Sequence, residues 1–111
     1  MDHIEQLLKA LADQNRLRIV GLLSHKDYCV CELAHVLKIT QPSVSKHLKK
    51  LKSSGIIDSR QDGLWTSYFL SPLENKDNQK ILSSITINLI KTPQVQKDIS
   101  KAEKTSRDDL C

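Results

Sequence analysis

Gln41-Pro42-Ser43-Val44-Ser45-Lys46-His47-Leu48-Lys49-Lys50-Leu51-Lys52-Ser53 is the stretch that decides the fold. Val44, Leu48 and Leu51 recur at i, i+4 and i+7, which is one stripe of a helix. Thr40 stands where an N-cap belongs. Pro42 suits the first turn, where its missing N–H costs nothing. Gly55 is placed to stop the helix. Removing the apolar stripe leaves Gln41, Ser43, Ser45, Lys46, His47, Lys49 and Lys50. That set has the chemistry of a DNA-reading surface: glutamine pairs with adenine edges, serine with several bases, lysine with guanine or phosphate. Residues of the first two turns would reach bases, and the lysines mostly phosphates.

A lysine-rich helix face on its own is most often just solvated. Its flanks argue otherwise. Upstream, Val30–Leu37 reads as a short helix with Leu33, Ala34 and Leu37 inward, separated from the first by a tight turn. Downstream, Ile56–Gln61 and Leu64–Leu70 read as strands joined by Asp62-Gly63, a dipeptide suited to a type I′ hairpin turn. Tyr68 and Leu70 share one strand face. Arg60, near the hairpin tip, would hold DNA backbone or minor groove, and Trp65 belongs either to the wing surface or to the core. Short helix, turn, polar helix and hairpin together meet the criteria of a nucleic-acid-binding module.

Further out, Ile4, Leu7, Leu8 and Leu11 mark an amphipathic first helix. Asp13 is placed to cap a second helix that buries Leu17, Ile19 or Val20, and Leu23. After Pro72 a long helix is expected over Lys76–Lys91, carrying Ile81, Leu82, Ile85, Leu89 and Ile90. The fold class is therefore mainly α with a β-hairpin wing, a winged helix-turn-helix. Its first and last long helices carry more Leu and Ile than one small core uses, so a symmetric homodimer through a helical interface is expected. Residues 1–92 read as the DNA-binding and dimerisation domain. Residues 93–111 read as a polar C-terminal tail, partly helical or frayed.

Composition agrees with this reading. The chain has 111 residues and a net charge of +4. Lys46, Lys49, Lys50, Lys52 and Arg60 against Asp58 hold that whole excess; the remainder is balanced at twelve basic and twelve acidic residues. No apolar run approaches the ~20 residues needed to span a bilayer, and Met1–Asn15 is charged throughout, unlike a secretory signal. Three cysteines form no disulfide framework. A cytoplasmic protein with reduced thiols, acting on double-stranded operator DNA and no membrane, is the expectation.

Four stretches carry a family resemblance: Ala10-Leu11-Ala12-Asp13-Gln14-Asn15-Arg16-Leu17, Cys29-Val30-Cys31-Glu32-Leu33, Gln41-Pro42-Ser43-Val44-Ser45-Lys46-His47-Leu48 and Asp62-Gly63-Leu64-Trp65. From about Leu11 to Pro72 the chain resembles the ArsR family of bacterial metal-responsive repressors. The resemblance implies a winged-helix homodimer that binds an operator palindrome and leaves it when an inducer binds. Two-fold symmetry would set the paired helices about 34–36 Å apart, one DNA turn. It also implies that Cys29 and Cys31 take part in sensing. The arsenic-sensing branch carries Cys-Val-Cys here, followed by an acidic residue and Leu.

Thiolates are soft ligands favoured by As(III), Sb(III), Cd(II), Pb(II), Cu(I) and Zn(II). On an ideal helix, residues two apart point about 200° apart. Capture of one ion by both sulfurs therefore requires that the first turn unwind or that Cys29 precede the helix. Best-known arsenic repressors add a third Cys where this chain has Ala34. Cys111, His35, or a water or exogenous thiol could take that place. Zinc sensors of the family use Asp and His on the last helix, and no His follows His47. As(III) or Sb(III) release is the leading reading. A thiol redox switch, a Cd/Pb/Zn-responsive repressor and a constitutive DNA-binding protein are its rivals in the same fold. A small enzyme using Cys31 and His35 is the out-of-class rival; no Gly-rich or oxyanion signature accompanies that pair, so the chain reads as a non-enzyme.

Overall fold

The computed structural model describes residues 1–105 and 107–110. The elements run α1 (Asp2–Leu11), α2 (Gln14–His25), β1 (Tyr28–Cys29), α3 (Val30–Leu37), α4 (Gln41–Ser53), β2 (Ile57–Asp62), β3 (Trp65–Leu70), α5 (Lys76–Ile90), α6 (Pro93–Glu103) and α7 (Arg107–Leu110). Helix boundaries follow the capping residues. Asp13 accepts from the Arg16 backbone N–H, and Thr40 from that of Ser43. Gly55 follows the end of α4 with φ +79°, the left-handed backbone that glycine adopts without a Cβ penalty. Lys38, after α3, takes the same region at φ 57° without being glycine, so the turn between the two helices carries some backbone strain.

α3 and α4 form a helix-turn-helix joined by their buried stripes. Leu33, Val36 and Leu37 meet Val44, Leu48 and Leu51 in one core with Ile19, Val20, Leu22, Ile56 and Ile57. The wing is a three-stranded antiparallel sheet in the order β1-β3-β2. Its edge strand is β1, where Tyr28 pairs with Tyr68 and Cys29 with Ser67.

The hairpin register also differs from the expected type I′ turn on Asp62-Gly63. Asp62 pairs with Trp65, which leaves Gly63 and Leu64 as the two central residues. Only Gly63 has positive φ, the pattern of a type II′ turn with glycine first.

The stretch read as the start of a polar tail is part of the body. Thr92 caps α6 and Pro93 opens it. Val95, Ile99 and Ala102 enter the core, and Asp98 is 3% exposed. α6 lies so close to α2 that a Cβ on Gly21 would sit 2.8 Å from Val95 Cγ2. Arg18 of α2 donates to Asp98 through Nε at 2.9 Å and Nη2 at 2.8 Å, a bidentate pair at a buried seam. No helix among the described residues is long and apolar enough to cross a membrane.

Candidate nucleic-acid interface and thiol site

The polar surface of α4 divides into two flanks. Gln41 and Ser45 are exposed on one side of the helix. Ser43, Lys46, His47, Lys49 and Lys50 line a groove of about 740 Å³ against α1, which adds Gln6, Lys9 and Ala10. Arg16 of α2 forms the floor of that groove and is 9% exposed. Its Nε donates to the Ala10 carbonyl at 2.7 Å, and its Nη1 meets His47 Nδ1 at 3.2 Å. Asp13 lies 4.0 Å away. The Arg16 backbone N–H holds the Asp13 carboxyl below its ordinary value, against a smaller opposing effect of burial. His47 thus faces α2 across the groove, and Arg16 is a groove residue that sequence reasoning left out. It follows Gln14 and Asn15 in the polar first turn of α2, so no break in an apolar pattern marked it.

Arg60 occupies a different place from the one expected. It lies on β2 opposite Ser67, not at the tip. Its Nη2 pairs with Asp27 at 2.6 Å and its guanidinium stacks over Phe69. An Arg so engaged braces the wing against the loop before β1.

The thiol pair straddles the start of α3. Cys29 is the N-cap, with extended backbone at φ −95° and ψ 169°. Cys31 is two residues inside the helix. Of the two geometries the sequence allowed, the structure has the second, with Cys29 ahead of the helix. The Cys29 sulfur accepts the Glu32 backbone N–H, while Glu32 Oε1 accepts the Cys29 N–H at 3.0 Å. This is a capping box in which a thiol stands in for the usual hydroxyl. Cys29 is 3% exposed. Burial is the main effect raising its thiol above the ordinary value; the Glu32 N–H opposes it and the Glu32 carboxylate adds to it.

Cys31 is disulfide-bonded and Cys29 is not, so the two do not pair with each other. Cys111 lies outside the described residues. Among the described residues no three His, Cys, Asp or Glu side chains are grouped to hold a metal ion, so His35 does not complete a set with the two thiols. Beside the pair, Tyr28 is buried and its hydroxyl is pushed up to about 12, by burial first and then by Glu32 and Glu103. His25 pairs with Glu103 at 3.1 Å.

A recognition-type helix, a basic flank and a β-wing define a winged helix-turn-helix protein. Comparison with known proteins narrows the class. The profile of the family described as "Bacterial regulatory protein, arsR family" matches residues 13–59. The arsenical resistance operon repressor of Escherichia coli is 48% identical over 68 residues, 60% of this chain and 58% of that one. The arsenical resistance operon repressor of Bacillus subtilis is 41% identical over 71 residues, 63% of this chain and 68% of that one. The solved homodimeric winged helix-turn-helix DNA-binding domain of Mb0332 from Mycobacterium bovis, a possible ArsR-family regulator, is similar with a TM-score of 0.65 at 25% identity. It covers 78% of each chain. The chain belongs to the ArsR family. It spans less than two thirds of the length of the Escherichia coli relative it matches.

Proposed function

We propose that this chain is a homodimeric repressor that binds operator DNA through α4 and, once the disulfide at Cys31 is reduced, is released when As(III) or Sb(III) is captured by the thiolates of Cys29 and Cys31. One observation carries the reading: Cys29 caps α3, and α3 is the helix on which α4 is packed. An ion that takes the Cys29 sulfur removes the acceptor of the Glu32 N–H and leaves the helix start uncapped. Inducer affinity is then spent on shifting the support of the DNA-facing helix, and linkage requires DNA to weaken inducer binding equally. Arsenical resistance repressors among its relatives support the choice of a thiophilic metalloid. Two sulfurs suit such an ion, and a third ligand is not among the described residues. Cys111 or a water or exogenous thiol would supply it.

Bases would be read by Gln41, Ser43 and Ser45, with Lys46, His47, Lys49 and Lys50 toward the phosphates. Homodimerisation would use the faces of α1 and α5, where Leu8 is 51% and Ile87 57% exposed. Leu8→Glu or Ile87→Glu would give monomers in sedimentation; a dimer unaltered by both places the interface elsewhere.

A second reading, a thiol redox switch, draws on the disulfide at Cys31. One experiment separates the two. Fluorescence anisotropy on operator DNA is followed as As(III), Sb(III), Cd(II), Pb(II), Zn(II) or peroxide is added to the reduced protein. Release by As(III), lost in Cys29→Ser and Cys31→Ser, supports the first reading. Release by peroxide alone supports the second, and release by zinc but not As(III) sinks the first.

A further inference from the structure

Among the residues that line the groove between α1 and α4 are five cations, Lys9, Arg16, Lys46, Lys49 and Lys50, and no carboxylate. Arg16 is the unusual one. A guanidinium this deeply buried is normally held by a carboxylate in direct contact. Here its close partners are the carbonyls of Ala10 and Lys9 and the His47 ring, with Asp13 only at 4.0 Å. The groove floor therefore carries positive charge that the protein leaves under-compensated. At the lip, Lys9 is 76% exposed and pairs with Glu5 at 2.9 Å, an exposed pair that an incoming anion displaces readily.

The location selects the anion. An α-helix with side chains is about 10–12 Å across, and the major groove is about 12 Å wide. A helix seated there has its flanks against the phosphate walls. The α1-facing flank of α4 is the lysine flank, while Gln41 and Ser45 lie on the other side. We propose that the α1–α4 groove seats a backbone phosphate of the operator, gripped by Lys9 together with Lys46 and Lys50 over the buried Arg16. α1, the helix assigned above to the dimer, then touches DNA directly, and the pose of the dimer helix is felt at the phosphate. This rests on the operator-binding reading and adds Lys9 and Arg16 to it.

The test is the salt dependence of operator affinity for the full chain. Wild type, Lys9→Gln, Lys46→Gln and, as a control on α6, Lys97→Gln are compared between about 50 and 200 mM salt. Each lost phosphate contact lowers the slope of log K against log salt by about 0.9. Lys9→Gln is expected to do this and to weaken operator and scrambled duplex alike, with the inducer response intact and Lys97→Gln unchanged. A wild-type slope in Lys9→Gln beside a reduced one in Lys46→Gln overturns the groove while operator binding stands. A flat slope in the wild type removes the operator-binding reading, and the groove proposal with it. If inorganic phosphate at matched ionic strength shifts the His47 ring resonances while Lys9→Gln keeps the wild-type slope, the groove is a small-anion site and the DNA seat is overturned.

Discussion

Cys29 and Glu32 cap each other: the Glu32 backbone N–H bonds to the Cys29 sulfur, and Glu32 Oε1 takes the Cys29 N–H at 3.0 Å. The thiol proposed to capture the inducer is thereby also a structural one. The protein does not have to unwind a turn to offer Cys29 to a ligand; it has to give up a cap.

Cys29→Ser separates the two roles. Serine is a stronger N-cap than cysteine and accepts the same Glu32 N–H, so stability should change by no more than about 1 kcal/mol. The thiolate is gone, so As(III) should no longer release DNA. Urea unfolding and anisotropy on one preparation check both halves. A large loss of stability would mean that sulfur packing, not capping, holds this corner.

The raised Cys29 thiol predicts a pH dependence. Burial, with a further push from Glu32, lifts it above the ordinary 9.0. The folded state therefore keeps the proton longer than the unfolded chain. The associated stability is whole below about pH 9 and is lost as pH rises through the folded value. Urea midpoints from pH 8 upward should fall more steeply for the wild type than for Cys29→Ser. Glu32→Gln keeps the capping oxygen and removes the charge, so alkylation of Cys29 should set in at lower pH. Burial remains in that variant, and the return toward the ordinary value should be partial.

Arg18→Met tests the α2–α6 seam. It leaves Asp98, 3% exposed, with Gln94 at 3.0 Å as its remaining side-chain donor. Removing one partner of such a pair costs about 3–5 kcal/mol. Arg18→Met with Asp98→Leu should recover most of the loss, because the buried charge is removed with its partner. A double-mutant cycle in urea gives the coupling. Additive losses would show that the pair is not a unit.

Gly21→Ala should change sign with its surroundings. In the wild type the new Cβ meets Val95 Cγ2 at 2.8 Å, an overpacking that costs about 1–3 kcal/mol. Exchanging glycine for alanine inside a helix returns about 1 kcal/mol. The net effect is destabilising in the wild type and stabilising in a Val95→Ala background. Thermal midpoints of the four proteins decide it, and the same sign in both backgrounds refutes the steric account.

Periodicity and capping chemistry were enough for most of the fold. Val44, Leu48 and Leu51 specify α4 because a 3.6-residue repeat has one way to bury a stripe, and Asp13, Thr40 and Gly55 mark helix ends through local bonds that need no distant partner. The Cys-Val-Cys pair and the lysine flank were legible for the same reason: both are properties of neighbours in the chain. α6 was half legible, since Thr92-Pro93 opens it and Val95, Ile99 and Ala102 recur at i, i+4 and i+7, but its polar composition hid that stripe.

What needed three dimensions was whatever depends on pairing across the chain. β1 is two residues long and exists only because β3 passes beside it. The hairpin slipped by one residue from Asp62-Gly63 to Gly63-Leu64 because the Ile57–Leu70 register, and not the turn dipeptide alone, sets where the strands close. Arg60 went to Asp27, thirty-three residues earlier in the chain, and Arg16 to His47 across two helices. Cys29 became a cap because β1 ends on it in extended backbone. Local spacing specified a helix and a thiol pair; the packing of α2, α3 and α6 around them turned one thiol into a cap and one arginine into the floor of a groove.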